Sequence, residues 1–313
     1  MRESMKSKGP LKVSNLKAIL IATSLSILAL LLVIRSNYYY YSSSSSSDSQ
    51  LSSTTTTTTT TSDSQGIKMR EAKAKAKSDL ECGKSCNKIP ASLAHAILHY
   101  TTSNITPQQT FNEISVSSKV LEQKSPCNFL VFGLGHDSLM WASLNYGGRT
   151  VFLDEDEAWI KQIKTKFPML ESYKVTYNTK LTQADNLMQH GLVNAACKKV
   201  NDVRNSACDL ALKGLPGVVY ETKWDLIMVD APTGFREDAP GRMTAIYTAG
   251  MMARNRDGGG ETDVFVHDVD RNVEDKFSKA FLCEGYLRKQ DGTIRHFVIP
   301  SYTDGLERSF CPN

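Results

Sequence analysis

Residues 128–156 constrain the fold more than any other part of the chain. The apolar run Asn128-Phe-Leu-Val-Phe132 enters Gly133-Leu-Gly135-His136-Asp137, a helical pattern opens at Ser138, and a second apolar run ends in Asp154-Glu155-Asp156. Strand, glycine turn, helix, strand and carboxylates, in that order, describe half of a nucleotide-binding crevice. Glycine at 133 and 135 lets the backbone turn sharply and approach a ligand where a side chain would collide, and carboxylates ending the next strand can accept hydrogen bonds from ribose hydroxyls. His136 and Asp137 share that turn and join the candidate ligand contacts. A lone G-x-G is weak evidence; the order of elements and an acid about twenty residues on give it force.

The rest of the pattern selects a class. Two lead-in helices are expected, Ser92 to Tyr100 and one opened by Thr106 as cap with Pro107 in its first turn. Parallel strands are expected at 129–132, 151–153, 173–177, 224–230 and 263–268, with helices at 138–146, 158–167 and Met243 to Arg254. Residues 185–217 read as a helical insertion. Tyr286 to Ile299 reads as two strands around the turn at Asp291-Gly292. An antiparallel hairpin closing five parallel strands is the pattern of the Rossmann-like, class I S-adenosylmethionine-dependent methyltransferases, whereas the dinucleotide fold repeats strand and helix. Ser138 stands where a third glycine would serve a pyrophosphate, which fits a cofactor without phosphates.

The amino-terminal part has a different character. A basic tail, residues 1–17, precedes the uncharged segment Ala18 to Ile34, stopped by Arg35. At 1.5 Å per residue that segment spans about 25 Å, enough for a thin bilayer, and the charge bias keeps the tail cytoplasmic. A cleaved signal peptide is the alternative, but the run is long for one and no small-x-small site follows. Residues 35–81 hold serine and threonine tracts with almost nothing apolar, the composition of a flexible stem. The expected organisation is therefore tail 1–17, signal anchor 18–34, stem 35–81 and a lumenal domain 82–313.

Residues 1–35 carry six basic groups and one acidic group, leaving 31 and 32 for the remainder, so the exported part is near neutral. The basic pI belongs to the anchor, and nucleic acid is discounted as a partner. Seven cysteines in a lumenal setting imply disulfides with at least one thiol left over, and Cys197 with Cys208 is the expected pair. Cys82 and Cys86 lack a second matching pair for a zinc site. Asn104-Ile-Thr106 is a glycosylation sequon, weakened by Pro107.

In an open α/β sheet the ligand lies beyond the carboxyl ends of the strands. That rim would gather Gly133 to Asp137, Asp154 to Asp156, Asp230 and His267-Asp268. Asp230, His267 and Asp268 offer an oxygen-rich set with one imidazole, suited to bind a divalent ion or to remove a proton from an alcohol. Arg242, Arg271 and Arg236 are candidates to hold an acidic sugar by a bidentate contact. Each has an ordinary reading: Asp230 as a turn cap, Asp268 as a helix cap, His267 as a satisfied core histidine, the arginines as surface ion pairs.

Phe132-Gly-Leu-Gly-His-Asp-Ser-Leu-Met-Trp141, Asp230-Ala-Pro-Thr-Gly234, Pro240-Gly-Arg-Met243 and Val266-His-Asp-Val-Asp-Arg271 resemble the plant glucuronoxylan 4-O-methyltransferases, a family that includes an irregular-xylem branch. The likeness runs from about Cys86 to Cys311. It implies a single-pass type II Golgi enzyme that takes S-adenosylmethionine as donor and methylates the 4-hydroxyl of glucuronic acid side chains of glucuronoxylan during secondary wall formation, alongside other xylan-synthesising enzymes. On that reading Gly133 and Gly135 admit the methionine part of the donor and Asp154 and Glu155 hold its ribose. Asp230, His267 and Asp268 then bind a metal or take the acceptor proton, and Arg242 or Arg271 orients the glucuronate. Two rivals share the features of the chain: a non-catalytic Golgi scaffold of the same fold, and a glycosyltransferase using Asp154-Glu-Asp156 or Asp268-Val-Asp270.

Overall fold

The computed structural model describes residues 89–312, except 107, 304, 306 and 307. The expected anchor and stem, and Cys82 and Cys86, lie outside the described residues. Among the described residues no helix is long and apolar enough to cross a membrane.

Two helices lead in, α1 (Ala91–Thr102) and α2 (Phe111–Lys124). The second does not start where Thr106 and Pro107 suggested. Thr110 is its cap: the side chain accepts from the Glu113 amide while Glu113 reaches back to the Thr110 amide, a reciprocal box that satisfies two otherwise orphaned donors. Then come β1 (Asn128–Phe132), α3 (Ser138–Leu144), β2 (Arg149–Asp154), α4 (Glu157–Lys166) and β3 (Glu171–Lys174). The third strand starts two residues before the expected 173–177 and ends at Lys174; past it the Val175 amide still bonds back to β2, at the Asp154 carbonyl.

Residues 184–217 hold one helix, α5 (Ala184–Val193), followed by single 3₁₀ turns at Ala195–Cys197 and Val203–Asn205. The expected helical insertion is thus mostly irregular. Covalent closure replaces regular hydrogen bonding there, because Cys197 and Cys208 form the expected disulfide across eleven positions. A short α6 (Gly217–Glu221) precedes β4 (Leu226–Val229), α7 (Met243–Arg254), β5 (Glu261–Val266), α8 (Asn272–Phe277), a π-helical continuation Ser278–Cys283, and the hairpin β6 (Leu287–Asp291) and β7 (Ile294–Pro300).

Seven strands among the described residues form one sheet in the order β3-β2-β1-β4-β5-β7-β6. Neighbours are parallel from β3 through β5, whereas β7 is antiparallel to both β5 and β6. The reversed seventh strand, inserted between β5 and β6, is the feature by which this sheet departs from the all-parallel dinucleotide-binding order.

Burial follows the pleat. Leu130, Phe132, Ile227 and Val229 face one core with α7 and the disulfide-closed segment. Phe129, Val131, Leu226 and Met228 face the other with α2, α3 and α4. Apolar side chains on both faces explain why β1 and β4 read as unbroken hydrophobic runs rather than alternating ones. Phe129, Phe132, Phe152 and Phe265 are fully buried, each contributing about 1.5–3 kcal/mol relative to exposure.

Candidate active site

The chain leaves β1 toward β2 on one side and later returns to β4 on the other, so a crevice opens beyond their carboxyl ends. Gly133 turns the chain at φ +131°, a conformation that disfavours any side chain, and its amide donates to the Leu153 carbonyl at 2.7 Å. At Gly135 space is the constraint, since an added Cβ would lie 2.8 Å from Asp137 Oδ1.

Asp154 fastens this turn to the next strand. Its Oδ2 accepts from the Leu134 amide at 3.2 Å and its Oδ1 from the Asp156 amide at 2.9 Å. It is buried, and burial pushes its carboxyl up to about 6 despite those two amides. Each oxygen keeps a further lone pair for a ribose hydroxyl. Glu155 is half-buried and reaches across the crevice, 3.4 Å from the Thr233 amide.

The remaining expected ligand contacts divide. Asp156 caps α4, accepting from the Ala158 and Trp159 amides at 2.8 and 3.1 Å, so its carboxylate serves the helix rather than a ribose. His136 is exposed, with its ring edge-on to Trp159 at 5.3 Å between centroids. Asp137 turns inward and accepts from Trp141 Nε1 at 2.7 Å. Burial and the nearby charge of Asp230 raise its carboxyl to about 6.

Asp230 follows β4, and His267 and Asp268 follow β5; the three offer ligand atoms within 4.8 Å of one another. His267 Nδ1 lies 2.9 Å from Asp230 Oδ1 and 3.6 Å from Asp268 Oδ1. Burial alone would raise the Asp230 carboxyl, but the His267 hydrogen bond and Arg242 outweigh it and hold it below its usual value. Burial likewise opposes the charged imidazole, yet the hydrogen bond to Asp230 and the charges of Asp230 and Asp268 raise His267 above its ordinary range. Asp268 adopts φ +60°, a sparsely populated backbone conformation for a residue with a side chain. The set therefore comes together in space from two separate strand ends.

The two arginines expected at the acceptor differ in position. Arg242 is buried and fully employed below the acids. Its Nε donates to the Pro232 carbonyl and its Nη1 to the His267 carbonyl, both at 3.0 Å. Nη1 also lies 3.3 Å from Asp230 Oδ1, and Nη2 2.8 Å from Asp268 Oδ2. It is a strut for the site and does not reach an acceptor. Arg271 is half-buried, bonded through Nη1 to the Thr233 carbonyl at 3.0 Å and paired through Nη2 with Asp268 at 2.9 Å. Arg236 is exposed and faces Asp238 at 3.5 Å.

Sequence reading missed four contributors. Gln109 is buried, donates to Asp230 Oδ2 at 3.1 Å, and leaves its Oε1 without a partner among the described residues. The Tyr177 hydroxyl is also buried and has no partner among the described residues; burial, with Glu155 and Asp154 adding to it, raises the phenol well above its usual value. Thr293 meets His267 Nε2 at 3.1 Å, and Glu113 accepts from Thr293. Only the Thr110-x-x-Glu113 spacing was visible as a signal, and it reads as a helix cap.

A family model described as IRX15/IRX15L/GXM matches residues 112–297. Glucuronoxylan 4-O-methyltransferase 1 of Arabidopsis thaliana is 72% identical over 235 residues, covering 74% of this chain and 83% of that protein. Arabinogalactan O-methyltransferase 2 of the same plant is 50% identical over 222 residues, covering 69% of this chain and 76% of the relative. Protein IRX15-LIKE, also from that plant, is 38% identical over 231 residues, with 72% of each chain covered. With more than half of its length matched by the model, the chain belongs to the IRX15/IRX15L/GXM family.

Proposed function

We propose that this protein is an S-adenosylmethionine-dependent O-methyltransferase that methylates the 4-hydroxyl of glucuronic acid side chains of glucuronoxylan. The identity of 72% to a glucuronoxylan 4-O-methyltransferase is the observation that carries the acceptor. The crevice fits the donor. Gly133 and Gly135 leave it open, Asp154 and Glu155 stand at its ribose end, and the buried, unpartnered Gln109 Oε1 and Tyr177 hydroxyl await polar ligand groups.

The donor supplies an electrophilic methyl on a sulfonium, and the chain's work is alignment and removal of one proton. Arg271, on the exposed side of Asp268, is the cation placed to meet the glucuronate carboxylate; Arg242 below pairs with both Asp230 and Asp268. Phe235, 67% exposed two residues beyond the Thr233 that Arg271 holds, offers an aromatic face for a sugar ring. Asp268 Oδ1 lies beyond hydrogen-bond distance of His267 and is the acid best placed to accept the hydroxyl proton. Asp230, His267 and Asp268 also fit a first-row divalent ion, which would polarise the acceptor oxygen, because their donor atoms are mixed nitrogen and oxygen at close spacing.

The reading includes placement. The uncharged segment 18–34 would anchor the chain in the Golgi membrane with the catalytic domain lumenal, near other xylan-synthesising enzymes. Protease protection of a tagged chain in sealed Golgi vesicles tests the topology.

Labelled donor, the full chain in detergent and glucuronoxylan should yield label at the 4-position of glucuronic acid, read by mass analysis of released oligosaccharides. No transfer with any divalent ion supplied would overturn the reading. Arabinogalactan in parallel decides between the two named acceptor classes of the family, and a chelator arm decides the metal. The scaffold reading predicts no donor binding by calorimetry.

A further inference from the structure

Helix α1 stands outside the alternation of strand and helix, and Ala96 is its single buried residue among those described. Hydrogen bonds therefore carry much of its attachment to α3. Near its start the Ser92 carbonyl accepts from Ser143 Oγ at 3.1 Å. Near its end the Tyr100 hydroxyl donates to the His136 carbonyl at 2.6 Å and accepts from the Met140 amide at 3.3 Å. Both partners are groups that the local chain leaves unpaired. The first amides of a helix have no intrahelical carbonyl to meet. Asp137 occupies the capping position of α3 but makes no cap bond; its Oδ2 accepts instead from Trp141 Nε1 at 2.7 Å. The Met140 amide is thus satisfied by a hydroxyl forty positions earlier in the chain. Burial pushes the Tyr100 phenol up to about 12 against the Met140 amide, so the hydroxyl keeps the proton it donates.

The peptide joining His136 to Asp137 is a rigid plane, so a hydrogen bond on its carbonyl also fixes where the Asp137 amide points. Trp159 of α4 acts in the same way two residues earlier, its Nε1 donating to the Leu134 carbonyl at 2.5 Å. The amides of Gly133 and Leu134 are fixed to the end of β2, at the Leu153 carbonyl and Asp154 Oδ2. Strand β2 therefore sets the entry to the glycine turn, and side chains from two helices set its exit. We propose that Tyr100 is a positioning residue for the donor: its hydroxyl sets the 136–137 peptide and the first turn of α3, and with them the shape of the turn against which S-adenosylmethionine is held. The donor role presupposes the methyltransferase reading, whereas the bracing of the turn does not.

The test uses the full chain in detergent. Tyr100→Phe deletes both bonds and keeps the ring, while Ser143→Ala deletes the bond at the other end of α1. Calorimetry should show Tyr100→Phe binding S-adenosylmethionine about tenfold more weakly, as expected for two lost hydrogen bonds. In methyl transfer its donor KM should rise by the same factor, with kcat at saturating donor and the KM for glucuronoxylan within about twofold of wild type. Hydrogen exchange should be faster in fragments covering 136–144 and unchanged in those covering α7, the mark of a local loosening. Ser143→Ala should bind donor within about twofold of wild type. Equal donor affinity in Tyr100→Phe and wild type would overturn the proposal, as would Ser143→Ala weakening the donor as much as Tyr100→Phe does. Faster exchange throughout the Tyr100→Phe protein would also overturn it, since general destabilisation would then explain the loss. If the wild type binds no donor while Tyr100→Phe still exchanges faster at 136–144, the function reading fails and takes the donor role with it, and the bracing of the turn stands.

Discussion

Asp154 and Arg271 are the residues at which the site is most open to a direct test. Asp154 is raised to about 6 chiefly by burial, and a ribose hydroxyl needs its ionised form as acceptor. Donor affinity should therefore rise as pH increases through about 6, and Asp154→Asn should flatten that rise in calorimetric titrations from pH 5 to 7.5. Asp137, raised into the same window, leaves a residual slope that the Asp137→Asn/Asp154→Asn double variant removes. An unchanged slope in the double variant would detach both acids from the donor. At the acceptor, Arg271→Ala should raise the KM for glucuronoxylan about tenfold while leaving donor binding intact, as expected for loss of one charge-assisted contact of roughly 1.5–3 kcal/mol that is partly screened. Arg242→Ala should instead lower the melting temperature and kcat together, because it leaves Asp230, Asp268 and the carbonyls of Pro232 and His267 without their shared donor. If the two variants behave alike, the division between strut and substrate contact is wrong.

At the scale of elements, α2 couples stability to the site through one carboxylate. Glu113 falls from an ordinary 4.5 to about 2 in the folded chain, so it stabilises the fold above pH 4.5 and that contribution disappears as pH falls toward 2. The stability gap between wild type and Glu113→Gln, measured by urea unfolding, should be full at pH 6 and shrink steadily through this window. A gap independent of pH would show that the carboxylate is not ionised in its box. Among the described residues two disulfides, Cys197–Cys208 and Cys283–Cys311, tie down irregular segments of the chain. Loop closure across eleven and twenty-eight positions corresponds to about 3 and about 3.5 kcal/mol. Cys197→Ser/Cys208→Ser should lower stability by roughly the first amount, seen as a lower urea midpoint. Cys127 should resist alkylation in the folded protein, since it is buried and its thiol is pushed up to about 11 by that burial.

Over the whole molecule, the C-terminal segment is locked onto α7 by a buried cation. Arg254 is fully buried, with no carboxylate against it among the described residues; it donates to the carbonyls of Gly250, Phe281 and Phe310 and to Cys283 Sγ, and stacks on Phe310 with 4.1 Å from guanidinium carbon to ring centroid. Cys283 is also bridged to Cys311, so arginine and disulfide hold the same stretch. Arg254→Lys should cost about 2–4 kcal/mol, because one ammonium cannot serve carbonyls on three separate segments. Thermal unfolding and limited proteolysis near residue 310 would register it.

How much of this was legible in sequence follows from the range of the forces involved. The glycine turn, the buried strands, helix Met243–Arg254, the hairpin and the Cys197–Cys208 pair were readable, because backbone conformation, period-two burial and short loop closure are local and leave marks a few residues apart. The ends of β2, β4 and β5 each announced an acid for the same reason. The bounds of the third strand and the irregular stretch after α5 were not readable, since what stabilises them is packing against distant elements. Nor could local pattern separate Arg242 from Arg271: both follow a strand end, and only the folded chain decides which guanidinium lies beneath the carboxylates and which reaches solvent. Glu113 and Thr293 stand 180 residues apart, and each alone reads as a cap or a turn. The sequence by itself determined the class of sheet and the rim on which the chemistry sits, because those depend on spacing along the chain. The tertiary structure decided which side chains share protons there, because hydrogen bonds depend on separations of about 3 Å that no linear spacing encodes.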